Sequence, residues 1–175
     1  MAAFDPTAPD LAYRLLRTSP VTLYHRPDLF AAAIAQLRAD GYQVVELQAA
    51  AWQSEADLHR EFAAALDFPA YYGRNLDALN DCLRDVLAFD YGASPEATGL
   101  VFAFHGYDHF TTTSPAAAHT LLDLLTAHSR TAALTGHRLL TLTQSDAPDL
   151  PLPPLGAVQP QWNDTEWLDA ARRGD

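Results

Sequence analysis

Residues Leu100-Val-Phe-Ala-Phe104 are five apolar side chains in a row, with no polar alternation. A strand with one face in water alternates, so this run predicts a strand covered on both faces. Cover on both faces requires layers, and the flanking sequence supplies helices for them. Pro27 to Asp40 places Phe30, Ile34 and Leu37 on one helical face, and Gly41 sits where helices commonly stop. Tyr42-Gln-Val-Val-Glu-Leu47 then reads as a short strand, β-branched at its centre. Ser54, with Asp57 three residues on, resembles a capping box. It opens a helix with the stripe Leu58, Phe62, Ala65 and Leu66, which Pro69 ends. Asn75 is an N-cap for the next helix, with Asp77 in the first turn where the dipole favours negative charge. Ser114-Pro115 reads as N-cap and first residue of a strongly apolar helix carrying Leu121, Leu122, Leu124 and Leu125 and ending near Gly136. Leu139-Leu-Thr-Leu142 follows as an interior strand.

Strands alternating with helices imply right-handed crossovers and a parallel sheet with helices on its faces. The fold class is therefore α/β, in three layers, with a small three-stranded parallel sheet near residues 43–47, 100–104 and 139–143. An N-terminal extension, residues 1–41, carries one clear helix and can add one extra βα unit through a fourth strand near 21–24. Pro6, Pro9 and Pro20 disfavour a continuous helix before it, although Leu11 to Arg17 can turn once or twice. Little order is expected before Leu11. The central domain spans 42–145, and a proline-rich tail occupies 146–175. That tail cannot be regular, so it either wraps the domain or hangs free. Trp162 and Trp167 argue that it packs, with a last short helix over Thr165 to Arg172.

Eleven basic residues stand against 22 acidic ones, a formal charge of −11. Such a surface repels nucleic acid and anionic membranes and draws basic partners, although plain solubility is an equally simple use of it. No apolar run reaches the roughly 18 residues a membrane span needs. Met1 to Asp10 has no basic cluster and does not read as a secretory signal. The single cysteine, Cys82, lies on an apolar helical face, which fits a small buried hydrophobe in a reducing, cytoplasmic setting. There is no GxGxxG after a strand, no GxxxxGK[ST], no GxSxG and no HExxH. Nothing here implies a cofactor or an enzyme. His105 and His109, with Asp108 beside them, lack the further ligands a zinc site requires and read as solvated loop histidines. His119 and His128 read as surface residues.

One stretch remains, Phe68-Pro-Ala-Tyr-Tyr-Gly-Arg-Asn-Leu-Asp-Ala-Leu-Asn-Asp-Cys-Leu83. Leu76, Leu79, Cys82, Leu83 and Val86 share the core face of its helix. Asp77 and Asp81, four apart, are neighbours on the other side. They can be a solvated acidic face, a general acid–base pair, or two rigidly mounted carboxylates for a cationic pocket.

This stretch, together with Asp57-Leu-His59, resembles the barstar family of intracellular ribonuclease inhibitors. The pattern PxYYGxNLDALxDCL is long and unusual, and a looser likeness extends over about residues 42–145. The resemblance implies a barstar-like three-layer fold and a mechanism in which helix-mounted carboxylates mimic substrate phosphate in a basic active site. Asp81 would be the main mimic and Asp77 its neighbour, with Tyr71, Gly73 and Asn75 forming the contact loop and Asn80 lying between the carboxylates. Asn80 and Val86 stand where the family's type member has tryptophans, and Arg74 where an acidic residue is found. The implied function is an antitoxin-like inhibitor of a ribonuclease or related basic toxin. The alternative is a barstar-like interaction module with a non-nuclease partner.

Overall fold

All three expected core strands are present, as β2 (Gln43–Leu47), β3 (Leu100–Phe104) and β4 (Leu139–Gln144). The computed structural model describes residues 10–173, so expectations placed on the first nine residues lie outside it. The sheet is larger than expected. Among the described residues it has five strands in the order β2-β3-β4-β1-β5, where β1 is Val21–Tyr24 and β5 is Gln161–Trp162. All its pairings are parallel. The N-terminal extension supplies β1 beside β4, and the tail supplies β5 on the outer edge of β1. Three strands would have left the β4 edge open, and an open edge is a pairing hazard.

The helices are α1 (Leu11–Thr18), α2 (Pro27–Ala39), α3 (Glu55–Ala65), α4 (Leu76–Leu87), α5 (Tyr107–Thr113), α6 (Pro115–Leu134) and α7 (Asp169–Arg173). The described part of the extension thus holds two helices, α1 and α2, where the proline pattern suggested one. Asp10 makes the second possible: its carboxylate caps α1 by accepting from the Tyr13 N–H at 2.7 Å.

Topology decides which face each connection covers. The chain steps β2 to β3 to β4 in one direction, and right-handed crossovers place α3 to α6 on one face. The step from β1 back to β2 runs the other way, so the same handedness puts α2 on the opposite face. The core divides accordingly. Leu100, Phe102 and Phe104 pack with Leu58, Phe62, Leu79, Leu83, Leu121 and Leu125, whereas Val101 and Ala103 pack with Leu15, Phe30, Ile34 and Leu37. The unalternating run on β3 is covered on both sides, as its composition required. The step from β4 over β1 to β5 runs forward again, and tail residue Leu155 is fully buried in the first cluster. The tail therefore wraps the domain.

The tail also closes the end of the sheet where ligands usually bind. In open α/β sheets that place is the crevice beyond the strands' carboxyl ends, where adjacent connections leave to opposite faces. Here it lies between β1 and β4. Glu166, 1% exposed, fills it with its own carboxylate. It accepts from the His25 N–H at 3.0 Å and the Arg26 N–H at 2.8 Å. Arg26 is the N-cap of α2 and has no side-chain cap bond of its own, so Glu166 serves the helix terminus from 140 residues away.

Candidate functional site

The segment from Pro69 to Leu87 is built outward from two fixed anchors. The first is Tyr72. Its hydroxyl reaches His59 Nδ1 at 2.5 Å, and His59 Nε2 lies 3.0 Å from Glu55 Oε1. In the tautomer with its proton on Nε2, the imidazole accepts from the Tyr72 hydroxyl at Nδ1 and donates to the carboxylate from Nε2. Burial pushes the Tyr72 hydroxyl above its ordinary pKa, which keeps it a donor. His59 is 1% exposed, so this chain of bonds fastens the tyrosine loop to α3 from within. With Tyr72 held inward, its neighbour Tyr71 is turned out and stands 80% exposed.

The second anchor is the start of α4. Asn75 Oδ1 accepts from the Ala78 N–H at 2.8 Å, the N-cap bond the sequence predicts. Gly73 lies against this first turn, where a Cβ would come 3.3 Å from Ala78 Cβ. Arg74 takes a left-handed conformation, φ 51°, to turn the chain into the helix. Leu79, Cys82, Leu83 and Val86 are buried against the sheet, which fixes the helix's rotation. Asp77 and Asp81 are consequently exposed. Tyr71, Gly73 and Asn75 are exposed on the loop before them, so five of the six expected contact residues are open to solvent.

The sixth, Asn80, is half-buried. Its Oδ1 lies 2.9 Å from His128 Nε2, so the imidazole N–H donates to it. His128 was expected at the surface and is instead 9% exposed, on the side of α6 that packs against α4. Burial depresses its pKa, the Asn80 bond pulls it back up, and nearby Arg84 pushes it down again. Val86 is fully buried, so it belongs to the core and offers nothing to a partner. Arg84 is a further member that the pattern did not reveal. Its Nη2 lies 3.0 Å from Asp81 Oδ1, with both side chains about two-thirds exposed. Pairs of this kind are worth about 0–1 kcal/mol, so Asp81 exchanges this arginine readily for another cation.

The other histidines are less free than expected. His105 Nε2 lies 2.7 Å from Glu46 Oε2 and its ring meets Phe30 edge-on. His109 sits on α5, 3.2 Å from Gln53 Nε2. Among the described residues, no group of three His, Cys, Asp or Glu side chains is placed to hold a metal. No described helix is long and apolar enough to cross a membrane.

An exposed, capped helix bearing two carboxylates behind a Tyr-Tyr-Gly loop is a recognisable arrangement. Residues 42–144 match the family model described as Barstar (barnase inhibitor). The chain belongs to the barstar family. The match takes in β2 through β4 and everything between them, and leaves α1, β1, α2 and the tail outside. Over 26 residues the chain is also 69% identical to YrdF of Bacillus subtilis (strain 168), a candidate ribonuclease inhibitor. That stretch is 15% of this chain and spans only 29% of the relative's length. The barstar-type sheet is here widened by two strands and covered on its second face by α1 and α2.

Proposed function

We propose that the protein inhibits a ribonuclease or a related basic toxin, using Asp77 and Asp81 as stand-ins for substrate phosphate. The observation that carries this reading is the exposure of both carboxylates on a helix that is already capped and packed. A basic cleft that receives phosphodiester is suited to anions, and carboxylates mounted on a preformed helix lose little conformational freedom on docking. The tail supports the reading by its position. Its hydrogen bonds run to α5, α6, β1, β4 and the start of α2, and both aspartates remain exposed. The net charge of −11 would speed encounter with a cationic partner.

The Asn80–His128 pair favours a partner other than the one an aromatic anchor would fit. Where a tryptophan would present a flat apolar face, this chain presents a pinned amide. A barstar-type module with a non-nuclease partner is the second reading, and it uses the same surface.

Titration of the full chain into small basic secreted ribonucleases, followed by cleavage of a labelled RNA, tests both. Inhibition at one-to-one stoichiometry is expected. Asp81→Ala should weaken it by about 2 kcal/mol or more, the scale of an interface hot spot. Capture of a partner without nuclease activity, equally dependent on Asp81, would transfer the role to the second reading. Unchanged affinity in Asp81→Ala would remove the phosphate-mimic role altogether.

A further inference from the structure

A second concave feature lies far from the crevice that Glu166 fills, at the amino ends of β1 and β4. It is a cavity of about 600 Å³ between the carboxyl ends of α1 and α6 and the turn leading into β4. Its volume is that of a small-molecule site. Leu16, Leu139 and Val158 give it an apolar wall, and Ser19 and Ser129 lie at the same place.

Its charge is unusual for this protein. Every basic residue in the chain is an arginine, 11 in all, against 22 acids. Among the described residues, three of those arginines, Arg17, Arg130 and Arg138, line this one cavity, and no aspartate or glutamate does. Arg138 is 8% exposed and is held by Tyr42, whose hydroxyl accepts from Nη1 at 3.0 Å, and by Asp10 at 3.8 Å. Arg17 and Arg130 are exposed and form no ion pair among the described residues. The negative poles of α1 and α6 do not account for both. Ser19 N–H already caps Leu15 O, and the N–H groups of Thr135, Gly136 and His137 cap Ala132 and Ala133.

We propose that this cavity is a binding site for a small amphipathic anion: an apolar body in the cleft, and one carboxylate or phosphate group between Arg17 and Arg130. Guanidinium forks suit either group. The site is composite. Arg17 comes from the N-terminal extension, Val158 from the tail, and Arg130 and Arg138 from the region matched to the family. The family domain alone would lack the cleft, so the proposal gives the two extensions a binding role independent of the aspartate face.

The test uses the full chain and 1-anilinonaphthalene-8-sulfonate, with the uncharged N-phenyl-1-naphthylamine as its comparison. Saturable one-to-one fluorescence enhancement is expected, displaced by decanoate or decyl phosphate according to which head group the arginines prefer. The double variant Arg17→Gln/Arg130→Gln should lose affinity for the sulfonate on the order of tenfold while binding the neutral probe as before. Ala133→Trp, at an exposed position on the rim, should block both probes at an unchanged melting temperature. Should it melt lower, the arginine variant decides alone, since both side chains are on the surface. Absence of saturable binding, or sulfonate affinity unchanged in the arginine variant, overturns the proposal. Unchanged affinity with lowered stability would assign the arginines to helix ends only.

Discussion

Replacing Glu166 with alanine tests how firmly the tail is part of the fold. The carboxylate accepts two backbone N–H groups at the start of α2, at 3.0 and 2.8 Å, and is 1% exposed. It also accepts from Asn163 Nδ2 at 2.5 Å. Hydrogen bonds to an ionised group are each worth about 1.5–3 kcal/mol. The lower figure is appropriate for the two backbone bonds, because water can partly reach a helix terminus once the side chain is gone. Glu166→Ala should therefore cost about 3 kcal/mol. For a domain of this size about 1 kcal/mol moves the midpoint by 2–4 °C, so the melting temperature should fall roughly 6–12 °C. Urea unfolding followed by both tryptophan fluorescence and circular dichroism measures the cost. Amide exchange supplies the location: His25 and Arg26 should lose protection first. Glu96→Ala, at an exposed loop position, is the control and should stay within about 0.5 kcal/mol. A loss below about 1 kcal/mol for Glu166→Ala, or unchanged protection at His25 and Arg26, would refute the reasoning.

Other outcomes are expected. His128 has a depressed pKa in the folded state, so on acidification the unfolded chain takes up its proton first. Its contribution to stability is full above the unfolded value of about 6.5 and is lost as pH falls from there through the lower folded value. His128→Gln should flatten that part of a stability–pH profile relative to the parent. Arg84→Ala removes an exposed pair and should change stability by less than about 1 kcal/mol. The same change should raise the association rate with a cationic partner in stopped-flow, most at low salt. Gly106→Ala would place a Cβ 2.6 Å from Ala50 Cβ in a left-handed backbone, φ 60°. Thermal unfolding should show a loss of about 2 kcal/mol or more.

Much of the domain was legible because its signals are local. The Ser54–Asp57 capping box forms, as do the Asn75 cap and the proline-led start of α6. What escaped depends on long-range partners. β5 is two residues long and exists only because β1 offers an open edge. α5 ends in three threonines, poor helix formers, and is held instead by buried Tyr107 and Phe110. The helix α6 buries Ala117, Ala118, Leu121, Leu122, Leu125, Thr126, His128, Ser129 and Ala132, a band too wide for apolar spacing to show that His128 lies inside it. Ala65, by contrast, completed an apolar stripe on paper and is exposed, because α3 turns it away from the sheet. On the candidate surface the aspartates and loop could be placed from the motif alone. The Asn80–His128 and Asp81–Arg84 pairs could not: the first joins residues 48 apart, and the second is one of several partners an exposed arginine could take.

The strand order also sets a timetable for synthesis. Of the five described strands, β1 is the first to be synthesised, yet both its neighbours, β4 and β5, are the last two. While β2, β3 and the helices between them emerge, Val21 to Tyr24 has no sheet to join, and pairing across such a separation is slow. The nascent chain must therefore carry an unpaired strand, all four of whose residues are buried in the finished fold, until residue 144 is free, and cannot seal its outer edge until residue 162. Translation pauses or truncation within the tail would expose that edge, so yield in cells should depend on residues 146–175 more than their sparse regular structure suggests.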